Sequence, residues 1–347
     1  MFAAIRPPAS PTTSTGTEPA SPTASCTATA ASSPPPLLPP STGQSVKLFP
    51  AAPVLFRRKD PFLGTESLDS ETGAGRAVAV NRTFHDHECA YYDERFAIRH
   101  DARAARRARA EVERLLGRPL RTGEVVLDPG CGTGWQAAGL RRAAPGVTVL
   151  GLDLSAGMLG RARAAGAAPL LQADATRLPL AAGSVDLVVT RGVLHHLPDV
   201  VGALADWRRV LRPGGAVVVV SEPTPTVERH GGLLARGLLP LLRRPLTQTE
   251  DFWELASMAA NLHVFTPDGL AAQARQAGYT DVRLSTADLL GTLVLTGSYV
   301  VHGRRRGLAG RIPWRALEAA ARAVDRAVTD RLVPSRLRHT VAGVLRP

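Results

Sequence analysis

The apolar residues of this chain follow two patterns, one typical of helices and one typical of buried strands. From Phe84 to Leu116 the pattern is helical, and Gly117 and Pro119 end it. Beyond it, short runs that are apolar throughout alternate with helix-patterned segments. The apolar runs are Val125–Asp128, Val147–Asp153, Pro169–Gln172, Val185–Thr190 and Ala216–Ser221, and the helical segments are Trp135–Ala144, Ala156–Ala165 and Val200–Leu211. Strands buried on both faces and joined by helices predict an α/β fold with a doubly wound, mostly parallel sheet.

The C-terminal third of the chain is less regular. Thr266 and Pro267, an N-cap residue followed by proline, predict the start of a helix that Gly278 ends. A second helix is predicted after Pro313, because apolar residues there recur at spacings of three and four. These residues are Trp314, Leu317, Ala321, Val324 and Val328. The segments with the pattern of strands are Asp281–Thr286 and Thr340–Leu345.

The N-terminal segment has a composition unlike the rest of the chain. Residues 1–46 contain 10 prolines and 16 serines or threonines. Such a segment cannot bury enough apolar surface to offset the entropy lost on ordering, so we expect residues 1–75 to be a disordered tail. The first residues also lack the basic and apolar regions of a signal peptide. Translation that starts near residue 75 is an alternative interpretation, and residues 76–347 then form one elaborated domain.

The net charge of +12 is an arginine bias, since 40 of the 42 basic residues are arginines. Together with the abundant Ala, Gly and Pro, this bias is typical of a G+C-rich genome. The positive charge is concentrated in residues 95–122 and 303–347, which flank a slightly acidic core. Aromatic residues for base stacking make up only 5% of the chain, so a nucleic-acid partner is disfavoured. Peripheral contact with an anionic membrane stays compatible with the basic segments.

The cysteine count and the hydropathy of the chain bear on its location. Three cysteines, an odd number, do not form a disulfide framework and are typical of a reducing compartment, so we expect a cytoplasmic protein. No stretch reaches the roughly 18 apolar residues of a membrane-spanning helix. No feature of the sequence indicates an oligomeric state.

The strongest chemical signal is a glycine-rich segment between the first strand and the following helix. Gly130, Gly132 and Gly134 allow a sharp turn and a close approach of a ligand, and the N–H groups of the helix start favour an anion. A dinucleotide fingerprint can be placed on Gly132, Gly134 and Ala137. Against it, Asp128 adds negative charge beside the loop, which disfavours a diphosphate and favours a ligand that carries an ammonium group.

Each of the next strands also ends in groups suited to a nucleoside. Asp153 follows the second strand, where a carboxylate can accept both hydroxyls of a ribose. Asp174 follows the third strand and can accept the amino group of adenine. Arg191 follows the fourth strand and precedes His195 and His196. Each match alone is weak, and the order and spacing of all of them within one domain make the signal strong.

In these motifs the sequence resembles a class I S-adenosylmethionine-dependent methyltransferase of the type-11 group, which includes the C-methyltransferases of ubiquinone and menaquinone biosynthesis. The resemblance covers residues 82–288 well and the rest loosely. It implies a Rossmann-like, seven-stranded, mostly parallel sheet with an N-terminal helical extension and a C-terminal helical insertion or lid. It also implies that S-adenosylmethionine is the cofactor. The family pattern differs here at Pro129, where an aliphatic residue is usual, and at the bulky Trp135.

The resemblance implies a set of cofactor-binding residues. The methionine part would be held by Asp128, Gly130, Cys131, Gly132 and Gly134, the ribose by Asp153 and Leu154, and the adenine by Asp174 and Ala175. Arg191 would contribute backbone contacts near the sulfonium, and Tyr92 resembles the aromatic residue that closes over the cofactor. We interpret Cys131 as buried packing rather than as a nucleophile.

Methyl transfer from a sulfonium requires in-line positioning and, for O–H or activated C–H acceptors, a general base. His196 is the best candidate for this base, with helix capping or packing as the alternative role for it. Glu222, which follows the fifth strand and is expected to face the same rim, is the second candidate. The run from His85 to Cys89 contains metal-ligand types without a partner cluster, so we interpret it as a solvated helix face and expect no metal.

The domain divides into N-terminal helices over 82–117, a cofactor-binding core over 122–222 and substrate-side elements over 223–347. Gly231–Leu262 and the insertion between the last two strands are predicted to form a lid over an apolar acceptor pocket. The residues expected to line that pocket are Trp253, Met258, His263 and Tyr299. We expect methyl transfer to a small, hydrophobic metabolite. The alternatives are a nicotinamide-dependent oxidoreductase and a non-catalytic S-adenosylmethionine-binding protein that uses its Arg-rich helices for partners.

Overall fold

The computed structural model describes residues 70–96, 98–227, 229–230, 262–295 and 313–347. Three helices precede the sheet: α1 (Ser70–Glu88), α2 (Tyr92–Arg95) and α3 (Ala102–Leu116). The helical stretch predicted from Phe84 to Leu116 is therefore interrupted, and α1 begins before the expected domain boundary at residue 75. Asp101 caps α3 by accepting from Ala104 N, and Gly117 ends α3 in the left-handed conformation (φ 77°).

The sheet has seven strands in the order β3-β2-β1-β4-β5-β7-β6. They are β1 (Val125–Pro129), β2 (Thr148–Asp153), β3 (Leu170–Gln172), β4 (Val185–Arg191), β5 (Leu211–Pro223), β6 (Asp281–Ala287) and β7 (Thr340–Arg346). Neighbours among the first five strands pair in parallel, and β7 pairs antiparallel with both β5 and β6. This arrangement confirms the predicted α/β fold and the two C-terminal strands.

Four helices cross over the faces of the sheet. They are α4 (Trp135–Ala143), α5 (Ala156–Ala164), α6 (Val200–Val210) and α7 (Pro267–Gln276). Apolar side chains fill both interfaces, one centred on Trp207 beneath α6 and α7, the other on Leu140 beneath α3 and α4. The strand order reverses between β1 and β4, and parallel sheets bind ligands outside the carboxyl ends of the strands at such a point. The loops that follow β1 and β4 therefore position the site.

The connection between β6 and β7 contains a helix that turns its polar side inward. Residues 290–295 are helical, and α8 (Trp314–Val324) continues into one π-helical turn (Asp325–Thr329). Asp325 is fully buried and accepts from Leu290 N at 3.0 Å and Gly291 N at 2.7 Å, so it satisfies the free N–H groups at the start of the 290–295 helix.

The outer side of this segment is apolar. Its exposed side chains include Leu317 (43%), Val324 (45%), Val328 (46%) and Leu332 (77%). The apolar spacing of three and four predicted after Pro313 is present. Its members Leu317, Val324 and Val328 point to solvent, however, because Arg322 occupies the inner face. Arg322 pairs there with Asp288 at 2.9 Å and with Glu318 at 2.8 Å.

Candidate active site

The glycine loop after β1 leaves one side of its backbone open. Gly130, Gly132 and Gly134 have φ values of 69°, 53° and 80°, which L side chains rarely adopt. A Cβ on Gly130 would lie 2.6 Å from the side chain of Val193, so the loop packs closely against the segment after β4. A Cβ on Gly132 would meet no atom within 4 Å. The open side of the loop therefore lies at Gly132, where a ligand can approach the backbone.

Two buried carboxylates flank the loop in different states. Asp153 accepts from Gly132 N at 2.8 Å and from Ser155 N at 2.9 Å. Asp128 is 1% exposed, and its Oδ2 has no hydrogen-bond partner within the described part of the chain. Burial raises the pKa of Asp128 to about 8 although the nearby Arg191 charge lowers it, and burial also raises the pKa of Asp153. A buried carboxylate with one oxygen free fits a ligand that brings its own donors, such as the ammonium group of S-adenosylmethionine.

The groups expected at the adenine and ribose are already partly engaged. Asp174 Oδ1 accepts from the N–H and the hydroxyl of Thr176, both at 2.8 Å. The carbonyl of Ala175 accepts from Trp207 Nε1 at 2.8 Å, and the carbonyl of Leu154 accepts from Gln172 Nε2 at 3.2 Å. These contacts fix the loops after β2 and β3. Their role in binding a nucleoside remains a prediction.

Cys131 lies inside the loop as packing. It is 7% exposed, its backbone N–H donates to Leu152 O at 2.9 Å, and a Cβ on Gly151 would lie 3.0 Å from its sulfur. Burial and the nearby charges of Asp128 and Asp153 raise the pKa of this thiol well above its usual value. A thiol kept neutral in this way is a poor nucleophile.

The N-terminal helices lie across the cofactor side of the sheet. Asp93, beside the predicted Tyr92, accepts from Thr133 Oγ1 in the glycine loop at 2.6 Å. Asp86 accepts from Ser155 Oγ at 2.5 Å and from Gly157 N at 3.1 Å, and so binds the start of α5. No sequence pattern indicates these contacts beyond the acidic residues themselves, because their partners lie 40 to 71 positions away.

The interpretation of residues 85–89 as a solvated helix face is wrong for two of its members. Glu88 and Cys89 are 2% and 1% exposed. The ring of His85 lies 5.2 Å from the ring of His196, and Asn81 donates to His196 O at 3.0 Å. The helix is therefore packed against the loop after β4. Within the described residues, no group of three or more His, Cys, Asp or Glu side chains could hold a metal ion.

Arg191 joins the end of β4 to two helices. Its guanidinium pairs with Glu111 of α3, donates to Gln136 Oε1 at 3.2 Å and lies 4.6 Å over the ring of Trp135. Trp135, which is unusual for the family at this position, thus supports Arg191 at the end of β4. The predicted backbone contacts of Arg191 with the cofactor remain a prediction.

Glu222 does not face the rim as expected, because its carboxylate is completely buried. It accepts from Val193 N at 2.8 Å, Leu194 N at 2.9 Å and His195 N at 3.2 Å. The ring Nδ1 of His195 lies 2.9 Å from its Oε2. Two backbone features accompany this inward orientation. Ser221 lies in the left-handed region at φ 58°, and the register between β5 and β7 is irregular. The carboxylate therefore organises the loop after β4 and orients His195.

His196 stacks on His195, with ring centroids 3.9 Å apart. His263 lies beside the same loop, with its Nε2 3.0 Å from Leu197 O, and burial lowers its pKa. Trp253, Met258 and Tyr299, like nearly all of Gly231–Leu262, lie outside the described residues. The structure thus brings His85, His195, His196 and His263 to the carboxyl end of β4.

Known proteins resemble this chain in sequence over most of its described residues. Residues 127–219 match a family model described as a methyltransferase domain. The demethylmenaquinone methyltransferase of Beutenbergia cavernae is 35% identical over 209 residues, which are 58% of this chain and 80% of that protein. The malonyl-[acyl-carrier protein] O-methyltransferase of Serratia marcescens is 30% identical over 257 residues, 70% of this chain and 91% of that protein.

Among solved structures, phosphoethanolamine N-methyltransferase 2 of Haemonchus contortus, in complex with S-adenosylhomocysteine, is 19% identical, with a TM-score of 0.47. The match covers 77% of this chain and 60% of that one. None of the helices in the described residues has the length and apolar character needed to cross a membrane. The coverage and identity of the curated relatives, together with the glycine loop and the strand order, show that this chain belongs to the class I S-adenosylmethionine-dependent methyltransferases of type 11.

Proposed function

We propose that the protein transfers the methyl group of S-adenosylmethionine to an O, N or C atom of a small, hydrophobic metabolite. Two observations carry the cofactor part: the buried Asp128 has one oxygen without a partner among the described residues, and the glycine loop is open at Gly132. The acceptor class is supported by the relative from Beutenbergia cavernae, whose name specifies demethylmenaquinone, a hydrophobic acceptor.

In this proposal, residues 122–222 bind the cofactor and residues 223–347 contribute the acceptor side. Asp128 and the loop glycines hold the methionine part, Asp153 and Leu154 the ribose, and Asp174 with Ala175 the adenine. When bound, S-adenosylmethionine supplies a methyl group already activated by its sulfonium charge. The chain then has to orient the acceptor, exclude water and, where the acceptor requires it, remove a proton.

We further propose that the outer face of α8 and the turn after it contacts anionic membranes, where a hydrophobic acceptor would be held. The exposed Val324, Val328 and Leu332 are interspersed with the exposed Arg326 and Arg331. Apolar side chains that enter the interface and arginines that pair with lipid phosphates support this assignment.

The cofactor assignment is tested by calorimetric titration of the full chain with S-adenosylhomocysteine and, separately, with NADH. We expect binding of the first and none of the second, whereas preferential binding of NADH would contradict the proposal. Asp128→Asn should weaken binding, and Asp268→Asn, on the exposed first turn of α7, is the matched control.

The acceptor assignment is tested with radiolabelled S-adenosylmethionine and a panel of naphthols, amines and carboxylates. Transfer to at least one apolar acceptor is expected. Binding of S-adenosylhomocysteine without transfer to any member of the panel would instead support the non-catalytic alternative.

A further inference from the structure

We propose that His195, oriented by the buried Glu222, removes a proton from the acceptor, and that the acceptor is therefore a compound that must lose a proton to react, such as a phenol- or quinol-type hydroxyl compound, rather than a carboxylate. This inference rests on the proposed function and names a substrate class within it. It also assigns the base to a residue other than His196.

The hydrogen bonds of Glu222 fix which nitrogen of His195 carries the proton. Its two carboxylate oxygens face three backbone N–H groups and His195 Nδ1, all within 3.2 Å. A carboxylate surrounded by N–H donors acts only as an acceptor, so Nδ1 of the neutral imidazole must be the protonated nitrogen. The lone pair is then on Nε2. Within the described part of the chain Nε2 makes no hydrogen bond, and the side chain keeps 15% of its surface exposed.

The backbone is built to hold this pair in place. Ser221 has φ 58° although it is not glycine, and the β5–β7 register is irregular between Val219 and Glu222. Strained positions of this kind persist where the surrounding structure fixes them, and they are frequent at functional sites. Glu222 is consequently turned into the molecule, where it is 0% exposed.

His195 is also close to the place where the cofactor methyl group must be presented. It lies two residues after Val193, whose side chain packs against Gly130 of the glycine loop. A Cβ on Gly192 would lie 3.7 Å from His195 Cε1, so the ring lies over the end of β4. Ligands of open parallel sheets bind at this edge.

The chemical step follows from these positions. The acceptor O–H bond breaks, its proton binds Nε2 of His195, and the oxygen, or the ring carbon conjugated to it, keeps the electron pair. That pair forms the bond to the methyl carbon while the S–C bond breaks and its electrons stay on sulfur, which gives S-adenosylhomocysteine. Where the ring carbon receives the methyl group, its C–H proton is then lost to water, and the electrons of that C–H bond restore the aromatic ring. Glu222 stabilises the imidazolium that results, and the proton later passes to water.

The need for a base separates two acceptor classes. A carboxylate has already lost its proton near neutral pH, since ordinary carboxyl groups have a pKa of about 4. A phenol retains its proton, because the pKa of a phenolic hydroxyl is about 10. A histidine held by a buried carboxylate can therefore serve as the base for the second class, and the first class needs no base.

The first test is independent of turnover. Nitrogen-15 NMR of the imidazoles in the full chain, assigned with His195→Asn, should show His195 as the Nδ1–H tautomer. The titratable groups that face His195 are Glu222, His196 and His263, and His85 lies behind His196. Variants of these histidines identify signals that overlap with that of His195. A His195 ring protonated only on Nε2 would overturn the inference.

The second test uses naphthols of graded acidity as acceptors. His195→Asn retains a donor toward Glu222 but has no basic nitrogen. We expect transfer to weakly acidic naphthols to fall about 10²–10⁴-fold, and the loss to shrink for nitronaphthols that are already ionised in the assay. Binding of S-adenosylhomocysteine should be unchanged. His87→Asn, on an exposed position of α1, is the matched control.

The outcomes separate this inference from the proposed function. If His195→Asn loses transfer equally for all naphthols, His195 has only a structural role. If the loss of transfer depends on naphthol acidity in His196→Asn instead, His196 is the base. Transfer to carboxylates but to no naphthol overturns the inference and leaves the proposed function intact. Bound S-adenosylhomocysteine with no transfer to either class contradicts the proposed function, and the inference falls with it.

Discussion

The two halves of the site are built differently. On the cofactor side, the loops after β1, β2 and β3 bring together residues from one stretch, 128–175, and three glycines set the backbone. On the acceptor side, the loop after β4 is held by residues that are distant in sequence. Glu222 accepts from this loop, and Asn81, which is 115 positions from His196, donates to it. The first half depends on what the local backbone can adopt, and the second depends on long-range hydrogen bonds.

The two buried carboxylates show the same difference. Asp128 has an oxygen without a partner in the described structure, whereas Glu222 accepts from three N–H groups and one imidazole. A buried carboxyl oxygen without a partner is unfavourable until a ligand satisfies it, and a fully satisfied carboxylate stabilises the fold. Under the proposed function, the cofactor side gives up stability for binding, and the acceptor side is organised before the acceptor arrives.

Two alanine substitutions in the glycine loop should divide stability from binding. In Gly134→Ala the new Cβ would lie 2.9 Å from Ala162 Cα in a left-handed backbone, so we expect the free energy of unfolding to fall by about 2–5 kcal/mol. In Gly132→Ala the Cβ enters open space, and only the strain of about 1–2 kcal/mol remains. Urea unfolding measures both, and equal losses would contradict this difference.

For cofactor binding we expect the opposite order from that for stability, with the larger effect in Gly132→Ala. The methyl group of Gly132→Ala would enter the space where the cofactor approaches the loop, so calorimetry should show S-adenosylhomocysteine binding weakened even though the chain is folded. Normal affinity in Gly132→Ala would mean that the open side of the loop is not the cofactor side.

Asp128→Asn should weaken S-adenosylhomocysteine binding about 10–100-fold, the effect of removing one hydrogen bond to a charged group. It should also change the pH dependence of stability. Burial raises the pKa of Asp128 from its ordinary value near 3.8 to about 8, so this group destabilises the folded state increasingly as pH rises from about 4 to 8. The cofactor-free variant should therefore gain thermal stability over the wild type as pH rises, measured by calorimetric melting at pH 5 and pH 8. A constant difference between the two proteins would contradict the assigned pKa.

The glycine loop and the carboxylates near it were largely predictable from the sequence, because their determinants are local. Glycine spacing and the carboxylates that end successive apolar runs identify Asp128 and Asp153 as candidates without knowledge of tertiary contacts. The apolar runs predict the strands within a few residues, except β5, which extends from Leu211 to Pro223 and not only over the predicted Ala216–Ser221.

The acceptor side was not predictable in the same way. Glu222 and His195 are 27 residues apart, and nothing in their spacing indicates that a left-handed Ser221 turns the carboxylate inward. Glu88 and Cys89 have the sequence of a solvated helix face but are buried, because α1 packs on α5 and the β4 loop. Polar residues on such a helix acquire their partners only in the tertiary structure.

The ion pair of Arg191 and Glu111 tests how much the acceptor side depends on its outer supports. The two side chains are 27% and 32% exposed, so solvent screens their interaction. We expect Glu111→Gln to lower the free energy of unfolding by about 1 kcal/mol or less, with a smaller difference at high salt. Arg283→Gln, whose partner is an exposed aspartate on β6, is the control and should have almost no effect. A loss of several kcal/mol in Glu111→Gln would mean that this pair, rather than Glu222, holds the β4 loop.

The smallest change in stability is expected at the outer face of α8 and the turn after it. Leu332 is 77% exposed, so Leu332→Asn should alter the free energy of unfolding by less than about 0.5 kcal/mol. If this face enters a membrane, the same substitution removes a buried leucine from the bound state, and that change amounts to about 1.5–3 kcal/mol, or about tenfold or more in affinity. Sedimentation with phosphatidylglycerol vesicles measures this affinity, and phosphatidylcholine vesicles are the control for charge. Because stability is unaffected, unchanged vesicle binding in Leu332→Asn would rule out this face as the membrane contact. Equal binding to both lipids would mean that Arg326 and Arg331 do not select anionic lipid.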